Sequence, residues 1–462
     1  MRGVLIVLLS LALLALVPSA AHTSSVPKPS ALVGAYYFDG WSGPLSDPHF
    51  DGLVRPGPNG QFPERRPLSG WRDNSANAMQ AQLRWAHADG ISFFVFDWYR
   101  KDVNPLLNVA HDNYLKLPDH HGVGYALLYV NQGPFGFSPA EWPAAVDNWI
   151  TQDFANPDYE RIDGKPLLVI IDTMLFRQQM GSSAGVNQAI DTLQQAAKQH
   201  GLPGVFVVGG RPTDYGNKQC FPVCDTFDGG PNGLVTEHYD ALSEYNYPLV
   251  IPPTKGARPY KDAVTGEEQM WNTIAQKSPF PYIPSVMTGW DPRPPDEEFF
   301  GNTLEWFRRT PAEVGAFLSD AINWVGSHPS MQVEPASSPP MVLVEAWNEF
   351  SEGASVLPTT QDGYSYGQAI ASALGVPWSA PPRYLVTVAA GHHGAVKSNP
   401  AGVSCPRRCR FHFDEGQQVR LTAIPKHGFA FSHWTSGCHG RSRTCSTILL
   451  GNSTFRASFR RR

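Results

Sequence analysis

The chain has 462 residues, 42% hydrophobic and 17% charged, with a formal net charge of −5. From Arg383 onward, 13 Lys and Arg stand against Asp414 and Glu415, about +11, which leaves about −16 for everything before it. That length excludes a coreless peptide and allows one large domain plus a small one, and no nucleic-acid partner is expected.

At the start, Arg2 precedes an almost wholly apolar run from Val4 to Val17, followed by the small residues Ser19, Ala20 and Ala21. The run is shorter than the ~20 residues that a bilayer crossing needs, so residues 1–21 read as a signal peptide. The expected product is secreted, extracellular or periplasmic, with no membrane span in the mature chain.

Between residues 31 and 376 the pattern alternates strand and helix eight times. The predicted strands are Leu32–Phe38, Ile91–Asp97, Gly124–Val130, Pro166–Asp172, Gly204–Gly209, Tyr239–Tyr245, Tyr282–Met287 and Met341–Ala346. Their continuous apolarity marks strands buried on both faces of a parallel sheet. Helical spacing appears over Asn77–Ala88, Trp142–Phe154, Val186–His200, Glu267–Gln276, Pro311–Val325 and Tyr366–Leu374. Thr310-Pro311-Ala312-Glu313 carries an N-cap, a first-position proline and an acidic first turn. Eight βα units predict an α/β fold, a (β/α)₈ TIM barrel. The competing architecture is a doubly wound open sheet, but no glycine-rich dinucleotide fingerprint follows the first strand.

Residues 377–382 form a Pro-rich linker. Beyond it, residues 383–462 show four alternating segments, Tyr384–Val388, Gln418–Ala423, Gly428–Trp434 and Thr454–Phe459, which read as a small basic β-domain. The cysteines cluster locally, Cys220 with Cys224 and then Cys405, Cys409, Cys438 and Cys445. After an export signal they read as disulfides rather than a zinc site, and the four in the tail permit three connectivities. The basic domain could hold an anionic cell-wall or surface polysaccharide.

A barrel carries its active site where strands end. Those ends supply Tyr36, Tyr37 and Asp39, then Asp97, Trp98 and Tyr99, then Tyr129 and Asn131, then Asp172. The later strands add Glu244 and Tyr245, Trp290 and Asp291, and Trp347, Asn348, Glu349 and Glu352. Acids and amides hydrogen-bond sugar hydroxyls, while Trp and Tyr rings cover pyranoside C–H faces, so a carbohydrate substrate is expected. Few Lys or Arg stand there, against phosphoryl transfer. Neither a Gly-x-Ser-x-Gly elbow nor a His-Glu-x-x-His helix is present, and no metal or other cofactor is expected. Glu349 and Glu352 meet only if the chain turns after Ala346; a helical turn brings such residues ~5–6 Å apart at Cβ, and Gly353 eases the bend. Two close carboxylates suit retaining glycosidase chemistry, mutual repulsion and burial raising one pKa so that an acid sits beside a base.

The stretch Trp347-Asn348-Glu349-Phe350-Ser351-Glu352-Gly353, followed by Tyr364-Ser365-Tyr366-Gly367, resembles the signature of glycoside hydrolase family 99 and its 99-like relatives. Ile91–Tyr99 and Val286–Asp291 fit the same group, so the resemblance covers about Gly34 to Gly367. It implies an endo-acting α-mannosidase or mannanase that retains configuration without an enzyme nucleophile. Glu349 would assist the substrate 2-hydroxyl through a 1,2-anhydro sugar, and Glu352 would act as general acid and then base. The chain departs from the family between its glutamates, where an aromatic and a His are usual and Phe350 and Ser351 stand here. The spacing Gly416, Val419, Leu421, Ala423, Pro425, Gly428, Phe431, Trp434 resembles bacterial surface repeat modules, with Trp434 a core residue. Two other readings stay open: a conventional retaining glycosidase with Asp97 or Asp172 as nucleophile, and a non-catalytic glycan-binding surface protein on the same barrel.

Overall fold

Short apolar runs that cannot be satisfied on one face alone pair here into a parallel barrel. The structure, a computed structural model, describes residues 29–56, 60–210, 233–245, 256–294, 305–335 and 338–462. Its barrel strands are β1 (Leu32–Tyr37), β2 (Phe93–Trp98), β3 (Gly124–Tyr129), β4 (Lys165–Ile170), β5 (Phe206–Gly210), β6 (Ala241–Ser243), β7 (Ser285–Met287) and β8 (Met341–Glu345). All neighbours are parallel, and β8 returns to pair with β1 at Leu32↔Met341 through Ala35↔Val344. A single parallel bridge, Leu242↔Tyr282, joins β6 to the approach of β7 and completes the ring. The eight-stranded barrel is therefore as expected. The Val4–Val17 segment and Cys220 and Cys224 lie outside the described residues, and among those described no helix is long and apolar enough to cross a membrane.

Alternation along each strand decides what reaches the interior. Gly34 faces the Phe93 ring and the Leu343 side chain, so positions 34 and 36 of β1, 93, 95 and 97 of β2, and 343 and 345 of β8 point inward. A side chain at Gly34 would overlap both neighbours. The last inward positions are Tyr36, Asp97 and Glu345, at the carboxyl ends where barrel chemistry resides. Outward positions pack under the helices, as Phe96 does against Tyr114 and Tyr129 against Trp142 and Trp149.

The helices are α1 (Ala76–Asp89), α2 (Val109–Lys116), α3 (Trp142–Trp149), α4 (Thr173–Met180), α5 (Ser183–Gln199), α6 (Tyr260–Lys277), α7 (Pro311–Ser327) and α8 (Ser365–Ala373). Thr310 caps α7 by accepting from Glu313 N, as its sequence predicts. α2 and α4 escape the sequence pattern because each has only eight residues, about two turns of periodicity. α6 begins seven residues before the predicted Glu267, with Tyr260 buried in its first turn.

The tail holds eight strands rather than four, in two four-stranded sheets. Val386, Val419, Leu421, Phe455 and Trp434 fill the core between them, and Trp434 donates from Nε1 to Ser442 O at 2.9 Å. Cys405 pairs with Cys409 and Cys438 with Cys445, which selects one of the three connectivities. This unit is docked on the barrel: Gln418 N donates to Leu68 O at 2.7 Å, Glu415 pairs with Arg84, and Gly416 lies against Trp85.

Candidate active site

Beyond β8 the chain does not form the expected helical turn. Asn348–Glu349 pairs antiparallel with Ala354–Ser355, so Glu349 and Glu352 sit on a tight hairpin. Gly353 closes it at φ +72°, where a β-carbon would also press on Asp291 Cβ at 2.8 Å. Two guanidinium groups pin this hairpin to the end of β7. Arg65 donates from Nη1 to Asp291 O (3.0 Å), Phe350 O (3.0 Å) and Ser351 O (3.2 Å), and pairs with the Asp291 carboxylate. Arg309 reaches Thr288 O and, at 2.9 Å, Ser355 O. Buried carbonyls of an irregular turn need such donors, and a planar fork supplies several from one side chain.

The interior then gathers acids. The Tyr245 hydroxyl lies 2.9 Å from Asp97 Oδ2 and 3.1 Å from Glu349 Oε1. The hydroxyl donates toward both carboxylates and offsets part of the rise that burial imposes on each. Burial holds Asp97 well above the carboxylate range, the bond from Tyr245 opposing and the Glu352 charge adding. Burial likewise raises Glu349 well above its ordinary value, with Glu352 and Asp97 adding. Burial pushes Glu352 up to about 7. Among the described residues, no hydrogen bond reaches Oδ1 of Asp97, Oε2 of Glu352 or either oxygen of Glu345. Those buried atoms are acceptors left open toward the interior.

Glu345 was not singled out by the sequence reasoning. The signal was present, a lone carboxylate inside the apolar run Met341–Ala346. Fully buried, it is raised well above the carboxylate range by burial and then by Glu352, Glu349, Glu267 and Asp97. Tyr36 packs against Tyr245 with ring centroids 4.9 Å apart, and Tyr99 lies within the field of Asp97, Glu349 and Glu352. Tyr36, Asp97, Tyr99, Tyr245, Glu345, Glu349 and Glu352 thus share one region of the barrel mouth.

Most other residues expected to touch substrate are held in contacts outside this cluster. Tyr37 alternates outward, its hydroxyl donating to Asp73 at 3.2 Å and its ring against Phe94 and Phe96. Trp98 and Tyr129 pack outward on Trp149, and the Tyr129 hydroxyl accepts from Phe137 N at 2.8 Å. Trp347 is completely buried on Phe94 and donates to Gln82 Oε1 at 2.9 Å. Asn131 exchanges bonds with the Asp172 backbone, and Asn348 does so with Phe38. These two amides tie neighbouring strand ends together. Asp172 caps α4, accepting from Leu175 N at 2.8 Å, and Asp39 caps α2 by accepting from Ala110 N and His111 N. Asp291 holds Arg65 and Arg293; burial pushes its carboxyl up, but those cations more than offset it and leave it below the usual range. Trp290 is buried beside Asp291, its backbone O accepting from Phe307 N at 2.8 Å. Glu237, beside His238, is buried in an ion pair with Arg177.

Among known proteins, residues 136–370 match the family model described as "Glycosyltransferase WbsX", and residues 384–462 match the "Divergent InlB B-repeat domain". No curated protein matches the chain. A solved "Glycoside hydrolase-like protein" is similar over 78% of this chain and 98% of its own, at 16% identity and a TM-score of 0.52, and shares the barrel fold. A GH99 endo-alpha-mannosidase from Bacteroides thetaiotaomicron overlaps 74% of this chain and 98% of its own, at 14% identity and a TM-score of 0.46. GH5_18 from Streptomyces cattleya, solved with GlcNAc, overlaps 79% and 86%, at 10% identity and a TM-score of 0.43.

Proposed function

The chain belongs to the WbsX glycosyltransferase family, and from that membership and the acid cluster we propose that it is a secreted enzyme that hydrolyses a glycosidic bond with retention. The observation that carries this reading is the Tyr245 hydroxyl shared between Asp97 and Glu349 beside a hairpin that also bears Glu352. The Tyr245 hydroxyl donates toward Glu349 and so favours its ionised form, the form a base needs. Glu352, raised by burial to about 7, is the acid.

In the first step Glu349 takes the proton of the substrate 2-hydroxyl, O2 attacks C1, and Glu352 gives its proton to the departing glycosidic oxygen. In the second step Glu352 takes a proton from water, the water oxygen bonds to C1 as the C1–O2 bond breaks, and Glu349 returns its proton to O2. Two inversions at C1 give net retention. The open acceptors on Asp97 and Glu345 suit sugar hydroxyls, and the resemblance to glycoside hydrolase family 99 makes an α-mannoside the first substrate class to test. Export is supported by the apolar leader-like segment Val4–Val17 and the two disulfides of the tail. The basic surface of residues 383–462 suits retention on an anionic wall or surface polysaccharide.

The competing nucleophiles fit less well. Asp172 is committed to capping α4, and Asp97 Oδ2 is engaged by the Tyr245 hydroxyl at 2.9 Å. The family's description favours a second outcome, transfer to a sugar acceptor in place of water. Digestion of a glycan library in ¹⁸O-water decides between them: hydrolysis places ¹⁸O at the new reducing end, whereas transfer to a sugar places none. Loss of at least a thousandfold in rate for both Glu349→Gln and Glu352→Gln is expected; wild-type rates in either variant would refute the mechanism and favour a glycan-binding protein.

A further inference from the structure

Against the hairpin that bears Glu349 and Glu352 lies a cavity of about 550 Å³, lined in part by its residues Phe350, Gly353 and Ser355. Its size is in the range of small-ligand pockets, roughly 300–1,000 Å³. Four guanidinium groups line it, Arg65, Arg293, Arg308 and Arg309, against the carboxylates of Glu64, Asp291 and Asp362. The body of this protein is acidic, so the excess of cations among these described lining residues runs opposite to its overall charge.

The pairing is uneven. Asp291 serves both Arg65 and Arg293. Arg309 is held by two backbone carbonyls and by the Tyr366 ring, 4.2 Å from its guanidinium carbon, and makes no ion pair among the described residues. Arg308, exposed at the rim, makes none among them either. Arg293 is stacked on Trp306 at 4.3 Å and on Phe62 at 4.9 Å, which holds its plane fixed. Guanidinium forks match the two oxygens of a carboxylate or sulfate, and aromatic rings offer flat faces to pyranose C–H groups. An oxyanion from a ligand would give Arg308 and Arg309 the ion-pair partner that they lack among the described residues.

We propose that this cavity is a subsite for a sugar unit bearing an oxyanion, and hence that the substrate is an acidic glycan. The inference deepens the glycosidase reading and rests on it only for the word substrate; the binding itself is independent of catalysis. The test is an NMR titration of the full-length mature chain with methyl glucuronoside, glucose 6-sulfate and neutral methyl glucoside. At least one anionic sugar is expected to bind tenfold or more tightly than methyl glucoside, with affinity falling as salt rises. The carboxylate and sulfate arms show which oxyanion is preferred. Arg308→Ala and Trp306→Ala should each weaken that binding at least fivefold at unchanged thermal stability, and Glu352→Gln should bind as wild type does. Equal binding of neutral and acidic sugars, no binding of either anion, or full affinity in both cavity variants would overturn the proposal. Acidic-sugar binding with no glycan cleaved would instead refute the catalytic reading and leave this one standing.

Discussion

Tyr245→Phe removes one oxygen and tests the proton arrangement directly. The hydroxyl is 3.1 Å from Glu349 Oε1 and 2.9 Å from Asp97 Oδ2, on a half-buried side chain. Hydrogen bonds to charged groups contribute about 1.5–3 kcal/mol, which corresponds to a rate loss of roughly 10- to 150-fold in kcat/KM. The same energy reappears in titration. Without the donor the Glu349 carboxylate is less stable, so the acid limb of the pH profile should move up by roughly one to two units. The alkaline limb, set by loss of the Glu352 proton near pH 7, should move less. Because the acids interact, both limbs belong to the group as a whole, and the diagnostic is which limb moves further. The assay is kcat/KM against pH, on the best substrate from the glycan digestion, for wild type and variant. A variant within twofold of wild type with neither limb displaced would refute this role of the Tyr245 hydroxyl. Displacement of the alkaline limb alone would exchange the roles of Glu349 and Glu352.

Two further outcomes follow from the surroundings of the site. Arg65→Lys keeps the charge but loses the fork that grips Asp291, Phe350 and Ser351 carbonyls, so kcat should fall roughly 10- to 100-fold with KM little changed; an unchanged kcat would show that the hairpin holds itself. Asp89, buried with Trp378 Nε1 as its one hydrogen-bond partner among the described residues, is pushed up by burial to about 8, above its unfolded value near 4. Its contribution is therefore intact below about pH 4 and is lost as pH rises toward 8. Asp89→Asn should gain on the order of 2 kcal/mol over wild type at pH 7 and little at pH 4, read from urea midpoints, and a pH-independent difference would contradict it.

How far the site could be read in advance depends on what each residue type advertises. A run such as Phe93–Phe96 declares a two-sided strand whatever surrounds it, and a glutamate pair after the eighth such run declares a rim. Periodicity also assigns inward and outward positions, provided one position is anchored. Tyr36 and Tyr37 are chemically equivalent in sequence, and only the contact of Gly34 with Phe93 and Leu343 shows that 36 faces the barrel interior and 37 the helices. Once that parity is known, Asp97 and Glu345 follow as inward, and Trp98 as outward. Side chains with two plausible uses remain ambiguous until partners are seen. Asp172 and Asp39 occupy strand ends, where an acid can bind substrate, and also helix starts, where an acid caps free N–H groups; in both cases the cap won. Asn131 and Asn348 were drawn the same way, toward carbonyls and N–H groups that a buried strand end cannot leave unpaired. Glu345 is the converse case. No backbone group claims it, no cation pairs with it among the described residues, and the barrel keeps it in its most buried layer. A carboxyl that costs stability and serves no structural bond is retained where its open acceptors meet something else, and here they face the same interior as Glu349 and Glu352.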